Sequence, residues 1–215
     1  MGKKYTRRQY LTMTAMAIGG ATILCSGLGL LAIQPPAVGY YRQMAADRDP
    51  SKPAVLVTYG TKAGSTTGVA QAVVEALKSR NFTVDISPVN RVTDLEGYSY
   101  VVIGSAIRMG APLSEVTEFV KQHRDTLQTI PTAFFAVYLM NSEDSQSGQQ
   151  ARLAYLNSIR DLVTLQNEAF FTGVFNPKKV SFIEAVLGKM MKSPEGDFRD
   201  WAAISKWGQE IFLTR

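Results

Sequence analysis

From residue 54 onward the chain repeats one unit: a short apolar, β-branched run, then a stretch whose apolar residues recur at helical spacing. Ala54-Val55-Leu56-Val57-Thr58-Tyr59 opens the series directly after Pro53. A run of this kind, apolar at consecutive positions and bounded by turn formers, reads as a strand buried on both faces. Segment 65–79 follows as a helix, with Val69, Ala70, Val73, Val74 and Leu77 on one face. The same reading places strands at 82–87, 98–104, 131–138 and 169–174, and helices at 113–124, 147–162 and 197–212. In the last helix Phe198, Trp201, Ile204 and Ile211 are expected on the buried side, whereas 91–97 is too short for a full helix. Strands alternating with helices dictate an α/β domain around a parallel sheet, here five-stranded and doubly wound. Ligands of such sheets sit beyond the carboxyl ends of the strands, which selects the loops after Tyr59, Gly104 and Tyr138.

The first of those loops is Gly60-Thr61-Lys62-Ala63-Gly64-Ser65-Thr66-Thr67. It is short, rich in glycine and hydroxyls, and opens a helix, whose first N–H groups and positive dipole end attract an anion. Thr61, Ser65 and Thr66 add O–H donors, and Gly64 lets the backbone approach closely. Two other phosphate motifs are absent: Lys62 precedes the last glycine, so no P-loop ending forms, and there is no Gly-x-Gly-x-x-Gly. Taken alone, the loop reads equally as an N-cap and turn serving only its helix.

The strand–(Tyr-Gly-Thr-x-x-Gly-Ser-Thr)–helix unit resembles the FMN phosphate loop of flavodoxins. It is similar above all to the variant in flavodoxin-type, menaquinone-dependent protoporphyrinogen oxidases. Tyr100-Val-Val-Ile-Gly-Ser-Ala-Ile-Arg-Met-Gly110 resembles that family's third strand and flavin loop, Phe119-Val-Lys-Gln-His123 its next helix, and Gly196-Asp-Phe-Arg-Asp-Trp201 the entry to its last helix. The resemblance covers most of residues 53–212. It implies a flavodoxin-like fold, FMN as cofactor and electron transfer to a quinone. By matching position, Thr61, Lys62, Gly64, Ser65 and Thr66 would hold the phosphate. Ser105, Ala106, Ile107 and Arg108 would line one side of the flavin ring, and Tyr138, Leu139, Met140 and Asn141 the other. Arg108 reads equally as a partner for an anionic reduced flavin or substrate carboxylate and as a surface ion pair. Met109, Met140 and Tyr138 also read as ordinary packing.

The net charge of +5 does not describe the folded part. Residues through Lys52 carry seven basic side chains (Lys3, Lys4, Arg7, Arg8, Arg42, Arg48, Lys52) against Asp47 and Asp49. That leaves 16 of the 23 basic and 16 of the 18 acidic residues for the rest, so no basic field for a nucleic acid is expected there. Leu11 opens and Ile33 closes a run of 23 residues without a charge, long enough to span a bilayer. We expect this run to contact membrane lipid as a transmembrane helix or signal-anchor over residues 1–33. Lys3, Lys4, Arg7 and Arg8 precede it, and the charge rule then sets everything after it outside the cytoplasm. Thr6-Arg7-Arg8-Gln9-Tyr10-Leu11 reads both as a twin-arginine export signal and as a plain signal-anchor flank. Residues 34–53, with four prolines, read as a linker, and the domain is expected over 54–215. With one cysteine (Cys25) and one histidine (His123), neither an intrachain disulfide nor a zinc or haem site from those residues can form, and no acidic spacing suggests another metal. His123 is read as an ordinary surface residue.

Segment 175–196 is longer than a usual connection. Phe182, Ile183, Val186, Leu187, Met190 and Met191 recur in it at helical spacing beside Lys178, Lys179, Lys189 and Lys192. This reads as a helix packed on the domain, a membrane-surface helix, or a pocket for a quinone or tetrapyrrole. Three functions remain open on sequence: a flavin oxidoreductase linked to quinone, a tethered non-enzymatic electron carrier, and a flavin-free binding module. The family's porphyrinogen substrate is made in the cytoplasm, opposite to the side that the charge rule selects; a quinone, dissolved in the bilayer, suits either side.

Overall fold

A computed structural model describes residues 40–45, 49, 51–176 and 195–213. The chain divides into two units, and all of these residues except Asn176 fall in the one made of Val38–Phe175 and Pro194–Arg215. In chain order its elements are β1 (Ala54–Gly60), α1 (Ser65–Lys78), β2 (Thr83–Pro88), β3 (Tyr100–Arg108), β4 (Ala111–Pro112), α2 (Ser114–Gln122) and α3 (Arg124–Leu127). Then come β5 (Thr132–Tyr138), α4 (Gln146–Ala154), α5 (Asn157–Arg160), β6 (Asn167–Thr172), β7 (Val174–Phe175), β8 (Gly196–Asp197) and α6 (Trp201–Glu210).

The main strands order as β2-β1-β3-β5-β6, all parallel. This is the expected doubly wound, flavodoxin-like sheet with its order reversing beside β1. Because side chains alternate across a strand, each strand feeds two cores. Val55, Val57 and Tyr59 of β1 join Val102, Phe135 and Val137 under α1 and α6, where Val69, Val73, Leu77 and Ile204 close the layer. Leu56, Val101, Ile103 and Phe134 face the other way, under Val116, Phe119 and Val120 of α2 and Leu156 and Ile159. Two-sided burial explains why the strands read as continuous apolar runs.

Several expected elements differ. The third strand does not stop at Gly104; β3 runs to Arg108 and folds back on β4, pairing Ile107 with Pro112 and Arg108 with Ala111. Met109 and Gly110 make that turn with φ of 52° and 80°. The helix expected at 147–162 is broken into α4 and α5, which lets Tyr155 bond toward the loop after β5 while Leu156 and Ile159 enter the second core. The last helix begins at Trp201, where Asp200 caps it by accepting the Ala203 N–H at 2.9 Å. Phe198 and Trp201 are therefore exposed rather than buried, and the inward face consists of Ile204, Trp207, Gly208 and Ile211.

The linker expected at 34–53 is not free along its whole length. Gln43 pairs antiparallel with Ile86 on the edge strand β2. Among the described residues no helix is long and apolar enough to cross a membrane; the anchor expected over residues 11–33 lies outside them, as does the helix expected at 182–191. Of segment 175–196 the structure describes the stem, where Val174–Phe175 pairs with Gly196–Asp197.

Candidate functional site

The three loops selected by sequence leave adjacent strands at one level. Gly60 of β1 is in register with Ser105 of β3, and Ala106 of β3 with Val137 of β5. The residues assigned to a phosphate and to the two sides of a ring thus converge on one end of the sheet, although they are up to 80 positions apart in the chain.

The turn assigned to a phosphate is held by its own hydroxyl, and the helix it opens has no side-chain cap. The Thr61 hydroxyl accepts the Gly64 N–H at 3.0 Å and fixes the turn. Gly64 is the N-cap of α1 at φ 86°, a conformation that costs a residue with a Cβ about 1–2 kcal/mol. It offers no side-chain cap, and the first turn of α1 carries no acidic residue. The opening N–H groups of the helix therefore lack the carboxylate or hydroxyl acceptor that usually satisfies them. Inside the same turn the Thr66 and Thr67 hydroxyls are buried without a hydrogen-bond partner. A buried orphan hydroxyl costs roughly 1–3 kcal/mol; that of Thr58 inside β1 is orphaned too, so what distinguishes Thr66 and Thr67 is their place at the start of a helix. The fit to a phosphate is thus written in these atoms: donors gathered at a positive helix end, with no competing anion in the turn.

The Lys62 ammonium, assigned to the phosphate by the resemblance, pairs with Glu115 Oε2 at 3.1 Å, tying the loop to the start of α2. Gly60, beneath it, admits α2 closely; a Cβ there would lie 2.5 Å from Val116 Cγ2.

On the second loop the Ser105 hydroxyl is consumed by scaffolding. It accepts the Leu113 N–H at 3.0 Å and donates to the Ala106 carbonyl at 2.8 Å, closing the base of the β3–β4 hairpin. Ala106 and Ile107 are half-buried along the hairpin, Arg108 is exposed, and Met109 stands 94% exposed at its tip.

The third loop is wired by residues with no conspicuous sequence signal. Arg152 Nη1 donates to the carbonyls of Asn141 and Glu143. Tyr155 donates to the Met140 carbonyl at 2.9 Å and accepts from Asn141 Nδ2 at 2.8 Å, while Asn141 turns the chain at φ 58°. Leu139 and Met140 are left 39% and 54% exposed. Burial pushes the Tyr138 phenol above its ordinary pKa; Arg152 opposes this, and Tyr155 and Glu143 add to it. Tyr138 is therefore a neutral wall, with the Arg152 guanidinium 5.8 Å from its ring centre.

A fourth segment joins the first and third loops. The Gly173 N–H bonds the Tyr138 carbonyl at 2.8 Å, and a Cβ on Gly173 would sit 3.5 Å from Ser65 Oγ. Sequence reasoning missed Thr67, Arg152, Tyr155 and Gly173. Thr67 alone was recoverable, as one more hydroxyl in the helix's first turn. Among the described residues no group of acidic, histidine or cysteine side chains is arranged to hold a metal. His123 caps α2 against the Phe119 ring at 4.6 Å, and burial lowers its pKa while Asp94 opposes the shift.

Comparison with known proteins identifies the family of the domain. Residues 56–201 match the family model described as Flavodoxin domain. Protoporphyrinogen IX dehydrogenase (quinone) of Escherichia coli strain K12 is 33% identical over 109 residues, which is 48% of this chain and 60% of that protein's length. The protein of the same description from Leishmania major is 26% identical over 176 residues, 74% of each chain. Among solved structures, a flavodoxin from the domain Archaea superposes with a TM-score of 0.48 at 15% identity, covering 74% of this chain and 95% of that one.

Proposed function

Because the chain belongs to the flavodoxin domain family and takes FMN as its cofactor, we propose that it is an oxidoreductase passing electrons between a reduced substrate and a quinone. Bound FMN supplies the electron and hydride chemistry, so no side chain need act as acid or base. The work of the chain is to hold and shield. The Thr61–Thr67 turn would bind the phosphate through its helix N–H groups and the Thr66 and Thr67 hydroxyls. The β3–β4 hairpin and the 138–141 loop would flank the ring, and Tyr138 would exclude water from its side of it.

The observation that carries the choice of a quinone is the apolar rim. Met109, Leu139 and Met140 are the exposed large hydrophobics of the two loops assigned to the ring. Such a rim suits a planar, lipid-soluble acceptor. A carrier docking on partner proteins is better served by a charged face, and the residues after Lys52 hold equal numbers of acidic and basic groups. The quinone-linked relatives support the same acceptor, although the match covers 60% of the E. coli protein. A porphyrinogen is the donor those relatives suggest.

The run 11–33 with its four preceding cations supports anchoring in the membrane, with the domain on the extracytoplasmic side. From Ile33 to the docked Tyr40 is seven residue steps, at most about 25 Å of extended chain, which would keep the domain within reach of a bilayer quinone.

The test is turnover by the full-length, FMN-loaded protein. Porphyrin fluorescence would follow oxidation of a porphyrinogen, and ultraviolet absorbance would follow reduction of a menaquinone or ubiquinone analogue. Quinone reduction with a porphyrinogen or another reduced donor supports the proposal. Failure to reduce any quinone with any donor, by protein that visibly holds flavin, sinks it.

A further inference from the structure

The edge strand β2 carries a segment from outside the alternating units. Gln43 donates to the Ile86 carbonyl at 2.9 Å, and Ile86 donates to the Gln43 carbonyl at 2.8 Å. In an antiparallel ladder such reciprocal pairs recur every second residue, so the neighbouring rung would join Tyr41 to Pro88. Pro88 has no N–H and cannot complete it. The gap is filled from the next strand: Tyr59 Oη donates to the Tyr41 carbonyl at 2.9 Å and accepts the Tyr41 N–H at 2.8 Å. At the other end the ladder also closes on a side chain, Asp85 Oδ1 accepting the Ala45 N–H at 2.6 Å. Asp85 is held in turn by the Tyr98 hydroxyl at 2.7 Å.

Tyr59 and Asp85 are 0% and 1% exposed. A phenol and a carboxylate buried this deeply need polar partners, and segment 41–45 supplies backbone partners to both. Tyr59 also immediately precedes Gly60 and Thr61, where the phosphate turn begins. Its ring is locked in the first core, so its hydroxyl ties the end of β1 to the docked segment.

We propose that residues 40–45 are a strap reserved for the β2 edge, and that Tyr59 is a positioning residue coupling strap docking to FMN binding at the phosphate loop. This rests on the assignment of the phosphate to the 60–67 turn. Two consequences follow. The domain begins near Tyr40 rather than after Pro53, so the segment that leads to the expected anchor is part of the flavoprotein. By reciprocity, whatever factor the docked strap adds to FMN affinity, FMN adds to strap docking.

The test uses the full chain with and without FMN. Trypsin cleavage after Arg42, identified by mass spectrometry among the other basic sites, reads release of the strap. Flavin fluorescence reads FMN affinity. Tyr59→Phe keeps the ring and removes the hydroxyl; cleavage after Arg42 should quicken about tenfold and the FMN Kd rise about three- to tenfold, the size expected for one or two hydrogen bonds. Ala45→Pro deletes the N–H donated to Asp85 without touching either core, and should shift both readouts the same way. FMN should slow Arg42 cleavage in the natural sequence and lose most of that protection in Tyr59→Phe. Cleavage unaffected by either substitution overturns the reserved strap. Faster cleavage with an unchanged Kd and no protection by FMN overturns the coupling. If the phosphate assignment is at fault, Thr66→Val will leave the Kd unchanged, while cleavage without FMN still reports on the strap.

Discussion

Replacing Thr66 by valine tests the phosphate assignment with two effects of opposite sign. Valine keeps the β-branched shape and removes one atom's polarity, the hydroxyl that lies buried and unpartnered in the first turn of α1. Without FMN that hydroxyl is a liability of roughly 1–3 kcal/mol, so its removal should stabilise the protein. We take about 1 kcal/mol, since the neighbouring groups relax, which for a domain of this size raises the Tm by about 2–4 °C. With FMN bound as proposed, the same hydroxyl would donate to a charged phosphate oxygen, an interaction of about 1.5–3 kcal/mol. Its loss should raise the FMN Kd about 10- to 150-fold.

The assay is a pair of measurements on one preparation, a thermal melt without flavin and a fluorescence titration with FMN. Thr66→Ser is the control, because it keeps the donor and should bind FMN close to the natural sequence. A lower Tm with an unchanged Kd would refute the reasoning, since it would make the hydroxyl a structural group and the turn an ordinary helix start. A two-sided result has no explanation in packing alone, because a packing defect would lower both stability and affinity.

Other perturbations separate the remaining parts of the site. Glu115→Gln releases Lys62 and removes a carboxylate beside the phosphate turn; FMN should bind a few-fold tighter at low salt, the gain should vanish near 1 M salt, and the Tm should move little because the pair is partly exposed. Arg152→Met removes the donor that holds the carbonyls of Asn141 and Glu143; hydrogen exchange should quicken over 139–145 and stay unchanged over 61–67. His123 supplies a pH dependence. Burial lowers its folded pKa, so the native state binds fewer protons than the unfolded chain; its contribution is fully present above the unfolded value of about 6.5 and is lost as the pH falls through the lowered one. Melts of the natural sequence and His123→Gln between pH 7.5 and 5 should show a steeper acid-side decline in the natural sequence.

The fold was legible because both layers of the sheet are covered. Strands such as β1 and β5, apolar on both faces, cannot be mistaken for surface ribbons, and α1 shows its inward face at helical spacing. Boundaries were less legible where side chains terminate an element. Asp200 as N-cap starts α6 four residues later than the apolar pattern suggests, and it turns Trp201 outward, where the Arg199 guanidinium covers its ring at 4.2 Å. Tyr155, reaching the Met140 carbonyl, accompanies the break in a helix that periodicity would carry through.

The site divides along a similar line, and the division follows from what each end of the ligand requires. A phosphate is recognised by backbone N–H groups and hydroxyls of one turn, contiguous in sequence, so Thr61, Gly64, Ser65 and Thr66 announce themselves together. A ring is recognised by the position of backbone, and that position is set by contacts distant in the chain. Ser105 and Asn141 fall at lining positions by the resemblance, and their side chains brace their own loops against Leu113 and Tyr155. The residues that aim the third loop, Arg152 and Tyr155, sit on and just after α4 and carry no motif. The strap makes the same point most strongly. Nothing local marks Tyr41 as the partner of Tyr59, because the requirement arises only when Pro88 leaves a rung without a donor. A proline at the end of an edge strand, aligned with a tyrosine on the strand inside it, is therefore a pattern to look for when such a domain is preceded by a supposed linker.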